Sequence, residues 1–161
     1  MAPYRICFVC MGNICRSPMA ATVMRELLAA AGWSDRVLVE SAGTGGWHAG
    51  DGADERALAT LRRHGYDGTD HVARQFDPEW FEAVDLVVAM DHENLRALRR
   101  AAPADAKDAV VLLRSFDPAA GPDDLDVPDP YYEGSAGFEQ VFAMVEASCK
   151  GLLESRRDRI E

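Results

Sequence analysis

Between Phe8 and Pro18 the chain reads FVCMGNICRSP, in which a cysteine is followed, after five intervening residues, by an arginine and a serine. As a thiolate, a cysteine is a strong nucleophile. An arginine is a planar fork of donors matched to two oxygens of a phosphoryl group, and a serine hydroxyl can donate to sulfur. Cys10, Arg16 and Ser17 thus form a nucleophile and oxyanion set suited to phosphoryl transfer. Gly12 and Asn13 accept left-handed conformations, in which successive main-chain amides turn toward one centre. The amides of Met11, Gly12, Asn13, Ile14 and Cys15 are therefore expected to cradle an anion above the Cys10 sulfur. Transfer from an ester also needs a proton for the departing oxygen, and none of these residues is a suitable acid. A long acidic segment, Ser115 to Ser135, offers Asp117, Asp123, Asp124, Asp126 and Asp129. Asp129 stands out, because Pro128 and Pro130 stiffen it and Tyr131 follows.

Such a set needs elements that hold it. Ile6, Phe8 and Val9 read as a short buried strand, and Ser17 with Pro18 as a helix opening, so CMGNICR is the turn between them. The helix start adds about half a positive charge to the cradle and favours the thiolate of Cys10. The first helix is expected from Pro18 to Ala31, with Gly32 as its stop, and a second strand from Val37 to Ala42. A second helix runs from Asp54 to His64 and ends at Gly65, and Asp77 with Pro78 opens a short one. Val84 to Met90 reads as the third strand, Asp91 as the N-cap of a helix His92 to Arg100, and Ala109 to Leu113 as the fourth strand. A closing helix is expected from Ala136 to Arg156, with Phe138, Val141, Phe142, Val145, Cys149 and Leu152 on its apolar face. Alternating strands and helices imply an α/β fold: one domain over residues 1–161, its four-stranded parallel sheet ordered 2-1-3-4 and covered by helices on both faces. Ligands bind such sheets beyond the carboxyl ends of the strands, which is where the turn after the first strand lies.

Composition narrows the partners. A formal charge of -10 on 161 residues disfavours any general attraction to nucleic acid or anionic lipid, though a local positive field can still hold a small anion. No run approaches the roughly 18 apolar residues of a membrane span, and the first residues lack the pattern of a signal peptide, so a cytoplasmic location is expected. Three of four cysteines, Cys7, Cys10 and Cys15, crowd into the first fifteen residues, which is unlike a secreted disulfide framework. Cys7 and Cys10 have the C-x-x-C spacing of a redox pair or half a zinc site. Zinc would need further ligands, yet His48, His64, His71 and His92 occur singly, so no metal is expected.

CMGNICRSP and DPYY, in that order and near opposite ends of the chain, resemble the two signatures of the low-molecular-weight protein tyrosine phosphatases. SAGTGGWH and HVARQF resemble that family's intermediate segments. The resemblance implies Cys10 as nucleophile, Arg16 as phosphoryl ligand, and Asp129 as the acid that protonates the phenol and later activates water. It also implies a hydrogen-bonded net in which Ser17, Ser41 and His71 brace a left-handed Asn13, and a disulfide-forming role for Cys15 toward Cys10. No cofactor is implied. Trp47 and Tyr131 are expected as opposite walls of a slot for a phenyl phosphate; Tyr132 would be a further wall or a target of a cognate kinase. Outside that net, His71 reads only as a satisfied histidine and Asp91 only as an N-cap. The partners implied are tyrosine-phosphorylated proteins, met by a monomer. Two other readings remain: a thiol-dependent arsenate reductase, disfavoured because Asp77 to Asp91 holds no cysteine, and a non-enzymatic phosphotyrosine-binding or redox-sensing module, which would not need Asp129.

Overall fold

A computed structural model describes residues 2–160. Strand β1, Tyr4–Cys10, lies inside the sheet, paired in parallel with β2, Val37–Gly43, on one side and with β3, Leu86–Ala89, on the other. Strand β4, Val110–Leu112, completes the order β2-β1-β3-β4, the one expected from the sequence. In register, Ile6 stands between Val39 and Leu86, and Phe8 between Ser41 and Val88. Ile6 through Val9 are fully buried because both faces of β1 are covered, and the alternation of strand side chains divides the core in two. Ile6, Phe8 and Cys10 point to helices α1, Arg16–Ala31, and α4, Gly134–Ser155, meeting Met19, Val23, Phe138 and Val145. Cys7 and Val9 point the other way, toward Phe76, Phe81 and the buried Leu95 and Leu98 of α3, His92–Ala101. Helix α2, Glu55–Arg63, packs against α4, and a short α5, Arg157–Ile160, follows it.

Several boundaries differ from the sequence reading. Helix α1 begins at Arg16, not Pro18. Proline is tolerated two residues further in because the first four amides of a helix have no partner in it. The α1 stop is Gly32, at φ 78, whose N–H returns to Ala29 and Leu28. Strand β3 is shorter than Val84 to Met90, because Val84 N–H is taken by Trp80 O in the turn after the 3-10 helix Pro78–Glu82. Helix α4 starts at Gly134, whose φ of 71 makes the left-handed entry. The connections after β1 and β3 leave to opposite faces of the sheet, which opens a crevice between them at the carboxyl edge.

Candidate active site

Cys10 closes β1 at that crevice, 3 % exposed, and the loop from Met11 to Cys15 climbs from it into α1. The hydrogen-bonded carbonyls of the loop accept from groups behind it or from α1. Cys10 O accepts from Thr44 N (2.8 Å), Met11 O from Gly45 N (3.0 Å), Ile14 O from Asp54 N (2.8 Å) and Cys15 O from Met19 N (3.2 Å). Asn13 O accepts from His71 Nε2 at 2.6 Å. In a trans peptide the C=O of one residue and the N–H of the next point in opposite directions, and no peptide bond here is cis. The N–H groups of Met11, Gly12, Ile14, Cys15 and Arg16 are therefore turned away from those partners, toward the cavity over Cys10. The ring of amides follows from where the carbonyls are tied.

Asn13 fixes the turn. It is fully buried at φ 58, and its side chain is oriented by Arg74 N–H, which donates to Oδ1 at 3.0 Å. Nδ2 is then left to donate to Ser17 Oγ at 2.7 Å and Ser41 Oγ at 3.1 Å. Asn13 fills one acceptor site on Ser17; a Cys10 thiolate has no proton to give, so in that state Ser17 Oγ is the donor across the 3.0 Å contact with Cys10 Sγ, its alternative acceptor Ala42 O lying at 3.4 Å. Ser41 and His71 thus stand behind the loop, and the net runs from them through Asn13 and Ser17 to the sulfur. Gly12, expected to share the left-handed geometry, does not have it; among non-glycine residues described, Asn13 alone has positive φ, and Gly12 is not among the glycines that do. Gly12 instead lets the ring of His48 approach, since a Cβ there would sit 3.1 Å from His48 Cδ2. Burial holds His71 below the ordinary histidine range, against the smaller opposite pull of its bond to Asn13 O.

Arg16 is 3 % exposed, and one of its nitrogens belongs to the scaffold: Nη1 donates to Asp91 Oδ2 at 2.7 Å and to Val127 O at 2.9 Å. Its Nη2 lies 4.0 Å from Asp129 Oδ2, on the cavity side. The Nε and Nη2 edge is thereby free to grip two oxygens. Burial works against its charge, but the neighbouring Cys10, Asp91 and Asp129 outweigh it and hold the guanidinium protonated more firmly than usual. Asp91 does cap α3, accepting from Asn94 N at 2.8 Å, but its second oxygen orients Arg16, so the reading of it as a cap alone is corrected. Asp129 stands across the mouth with its side chain 41 % exposed, and its Oδ1 accepts from Tyr131 N–H at 3.1 Å.

These groups meet in one cavity of about 310 Å3 lined by Cys10, Met11, Gly12, Ile14, Cys15, Arg16, Trp47, His48, Asp129, Tyr131 and Tyr132. Trp47 and Tyr132, 73 % and 93 % exposed, stand at its rim, while Tyr131 is tucked edge-on against Tyr132 with ring centroids 5.0 Å apart. The Trp47 indole folds back against Gly45, where a Cβ would fall 1.8 Å from the ring. Cys7 points into the opposite core layer from Cys10, and burial pushes its thiol up to about 12. Burial likewise raises the thiols of Cys15 and Cys149. Among the described residues no group of three or more His, Cys, Asp or Glu is placed to hold a metal.

Comparison with known proteins decides the family. A sequence model described as low molecular weight phosphotyrosine protein phosphatase matches residues 5–160. The low molecular weight protein-tyrosine-phosphatase of Streptomyces coelicolor is 58 % identical over 159 residues, 98 % of this chain and 96 % of that protein. The chain belongs to the low molecular weight phosphotyrosine protein phosphatase family. Low molecular weight protein-tyrosine phosphatase A of Mycobacterium tuberculosis is 50 % identical over 158 residues, 98 % of this chain and 94 % of that one. The crystal structure of YfkJ from Bacillus subtilis superimposes with a TM-score of 0.92 at 36 % identity, covering 100 % of this chain and 99 % of that one.

For a phosphatase of this family, sequence reasoning missed several supports. Arg74, whose amide orients Asn13, lies in the HVARQF segment, so its neighbourhood was flagged but its role was not. Asp91 follows β3 at the crevice where the chain's connections diverge, and that position was a usable signal. His48 closes the SAGTGGWH segment beside Trp47, so its neighbourhood also carried a signal, whereas Val127 had none and enters through a contact with Arg16, distant in sequence.

Proposed function

We propose that this phosphatase hydrolyses phosphotyrosine in proteins through a phosphocysteine formed on Cys10. The phosphoryl group sits in the amide ring with two oxygens on the Nε and Nη2 edge of Arg16, and the phenyl ring stands between Trp47 and Tyr131. Cys10 Sγ attacks phosphorus in line while Asp129 gives its proton to the departing phenolate oxygen. Asp129, now a carboxylate, takes a proton from the water that attacks the phosphocysteine, and Ser17 Oγ–H stabilises the sulfur anion as it leaves. Met11, Gly12, Ile14, Cys15 and Arg16 bind through their main-chain amides, while Asn13, expected among them but fully buried and outside the cavity lining, holds the loop together with Ser41 and His71. Tyr132 extends the wall at the rim and is exposed enough to be modified by a tyrosine kinase. The domain spans the whole of residues 1–161 and works as a monomer in the cytoplasm, where four unpaired thiols persist.

The observation that carries this reading is the convergence on one cavity of Cys10 Sγ, the free edge of Arg16 and the carboxyl of Asp129. Replacing Cys10→Ser tests it: hydrolysis of an aryl phosphate should vanish while calorimetry still detects inorganic phosphate. Substantial residual turnover would remove Cys10 as the nucleophile, and loss of phosphate binding alone would point to a collapsed cradle.

A further inference from the structure

An exposed carboxylate on a proline-rich loop does not hold a productive position unaided, and the loop carrying Asp129 is tied on both sides. Before it, Val127 N–H donates to Met90 O at 2.8 Å, Val127 O accepts from Arg16, and Asp126 Oδ1 accepts from His92 N at 2.9 Å. After it, among the described residues, one hydrogen bond reaches residues 130–133 from outside their own turn. Arg56 Nη1 donates to Tyr131 O at 2.7 Å.

We infer that Arg56 is a positioning residue for Asp129, acting through the main chain of Tyr131; this rests on the acid and base role proposed for Asp129. The guanidinium is fixed before it reaches the loop. Asp54 accepts from Arg56 Nε at 3.0 Å and Nη2 at 2.9 Å, and Asp54 itself is anchored as the α2 N-cap, with its N–H on Ile14 O of the phosphate loop. Its carbon lies 5.0 Å from the Tyr131 ring centroid and 4.9 Å from that of Phe138. With Nε and Nη2 committed and its carbon near two rings, the side chain is held in place to present Nη1. Tyr131 O, which it holds, and Tyr131 N–H, which binds Asp129 Oδ1, belong to successive peptide units that meet at the Tyr131 Cα, so fixing the first restrains the second. That bond leaves Oδ2 as the oxygen toward Arg16 and the incoming phosphate. A continuous path therefore runs from the phosphate loop through Asp54, Arg56 and Tyr131 to the carboxyl, setting its distance from the sulfur.

The test compares kcat/KM for phenyl phosphate, a poor leaving group, with p-nitrophenyl phosphate, a good one, because this ratio reports only steps up to departure of the first product. Loss of a positioned acid should fall mainly on the poor leaving group. Arg56→Ala should lower kcat/KM for phenyl phosphate by about tenfold to a hundredfold, the scale of a misplaced catalytic group, and affect p-nitrophenyl phosphate far less. Arg56→Lys, which keeps one donor for Tyr131 O but not the two-point grip on Asp54, should fall between. The Ki of inorganic phosphate, which binds the cradle without needing the acid, should stay within about twofold, since a merely structural collapse would weaken it as well. In an Asp129→Asn background, Arg56→Ala should add nothing. An equal loss with and without Asp129, or equal losses on both substrates, overturns the role of Arg56. If Asp129→Asn itself shows no dependence on leaving group, the acid assignment falls instead.

Discussion

Asn13→Asp exchanges one NH2 for an oxygen, and its consequence can be followed atom by atom. Oδ1 still accepts from Arg74 N–H, and aspartate tolerates a φ of 58. The other atom, 2.7 Å from Ser17 Oγ and 3.1 Å from Ser41 Oγ, becomes an acceptor where a donor stood. Ser17 has one proton, now aimed at Cys10 Sγ, and a carboxylate at that distance draws it away. The sulfur then leaves the phosphocysteine without its donor. A hydrogen bond to a charged group contributes about 1.5–3 kcal/mol, so the dephosphorylation step should slow by roughly tenfold to 150-fold. Asn13→Ala makes a different change. Ser17 loses a donor but keeps its proton for sulfur, so catalysis should suffer less. Stability should suffer too, because alanine lacks the local hydrogen bonding that lets asparagine take the left-handed region, at a cost of about 1–2 kcal/mol, and the stranded Arg74 amide costs about 1 more. That corresponds to a Tm lower by roughly 5–10 °C for a chain of this size.

Rapid-quench kinetics measure both halves of the cycle. Asn13→Asp should give a burst of phenol followed by a slowed steady state, with a lowered Tm because it buries a carboxylate. Asn13→Ala should give the faster steady state. If the two variants show equal steady-state rates, or if the aspartate variant turns over like the parent, then Ser17 does not serve the leaving sulfur.

Three further outcomes follow from the same contacts. Because His71 is held below its ordinary value of 6.5, the unfolded chain takes up its proton first; this share of stability is present above 6.5 and is lost as pH falls toward the folded value. Thermal unfolding should show that loss in the parent and not in His71→Gln, and a gain in stability on acidification would mean that the folded state holds the charged form. Asp91→Ala should lower Tm by more than Asp91→Ser, which restores an N-cap of about 1 kcal/mol, and both should lie below the parent because Arg16 loses a partly buried partner; a serine variant as stable as the parent would refute the ion pair's structural weight. Hydrogen peroxide should oxidise Cys10 to the sulfenic acid, which the Cys15 thiol converts to a disulfide with release of water, protecting Cys10 from further oxidation; mass mapping that finds Cys7 or Cys149 in the bond would exclude this.

The sequence made legible what local rules govern. The short apolar runs of β1 and β2, Gly32 after α1, and Asp54 and Asp91 ahead of their helices each act within a few residues, and each is found in the structure. Pro18 misled by two positions because it fits any residue of a first helical turn, so the true start was set by the phosphate loop's need for free amides. The second role of Asp91 and that of Arg56 join residues 75 apart in the chain, and no local pattern encodes such contacts. The resemblance to a known family could name the residues of the net, but not which way each hydrogen bond runs.

How an acidic chain holds a doubly charged guest follows from who supplies the positive potential. Asp91 offsets part of the charge of Arg16, so the positive field inside the cavity is shared between its free Nε and Nη2 edge, the main-chain dipoles and the start of α1. Those dipoles do not depend on the formal charge of -10 and act at short range, which lets the surface stay acidic while the floor binds an anion. The same bonds over-determine the floor: Cys10, Asn13, Arg16 and Ser17 are all at least nine-tenths buried, and Val127 O joins the acid loop to Arg16. Trp47 and Tyr132 are mostly exposed and carry few such constraints. Discrimination among phosphoproteins is therefore a property of the rim, where rings can adapt to the residues flanking a phosphotyrosine. Substitutions at the rim should alter KM between peptides and leave breakdown of the common phosphocysteine unchanged, because the floor that performs it never meets the peptide.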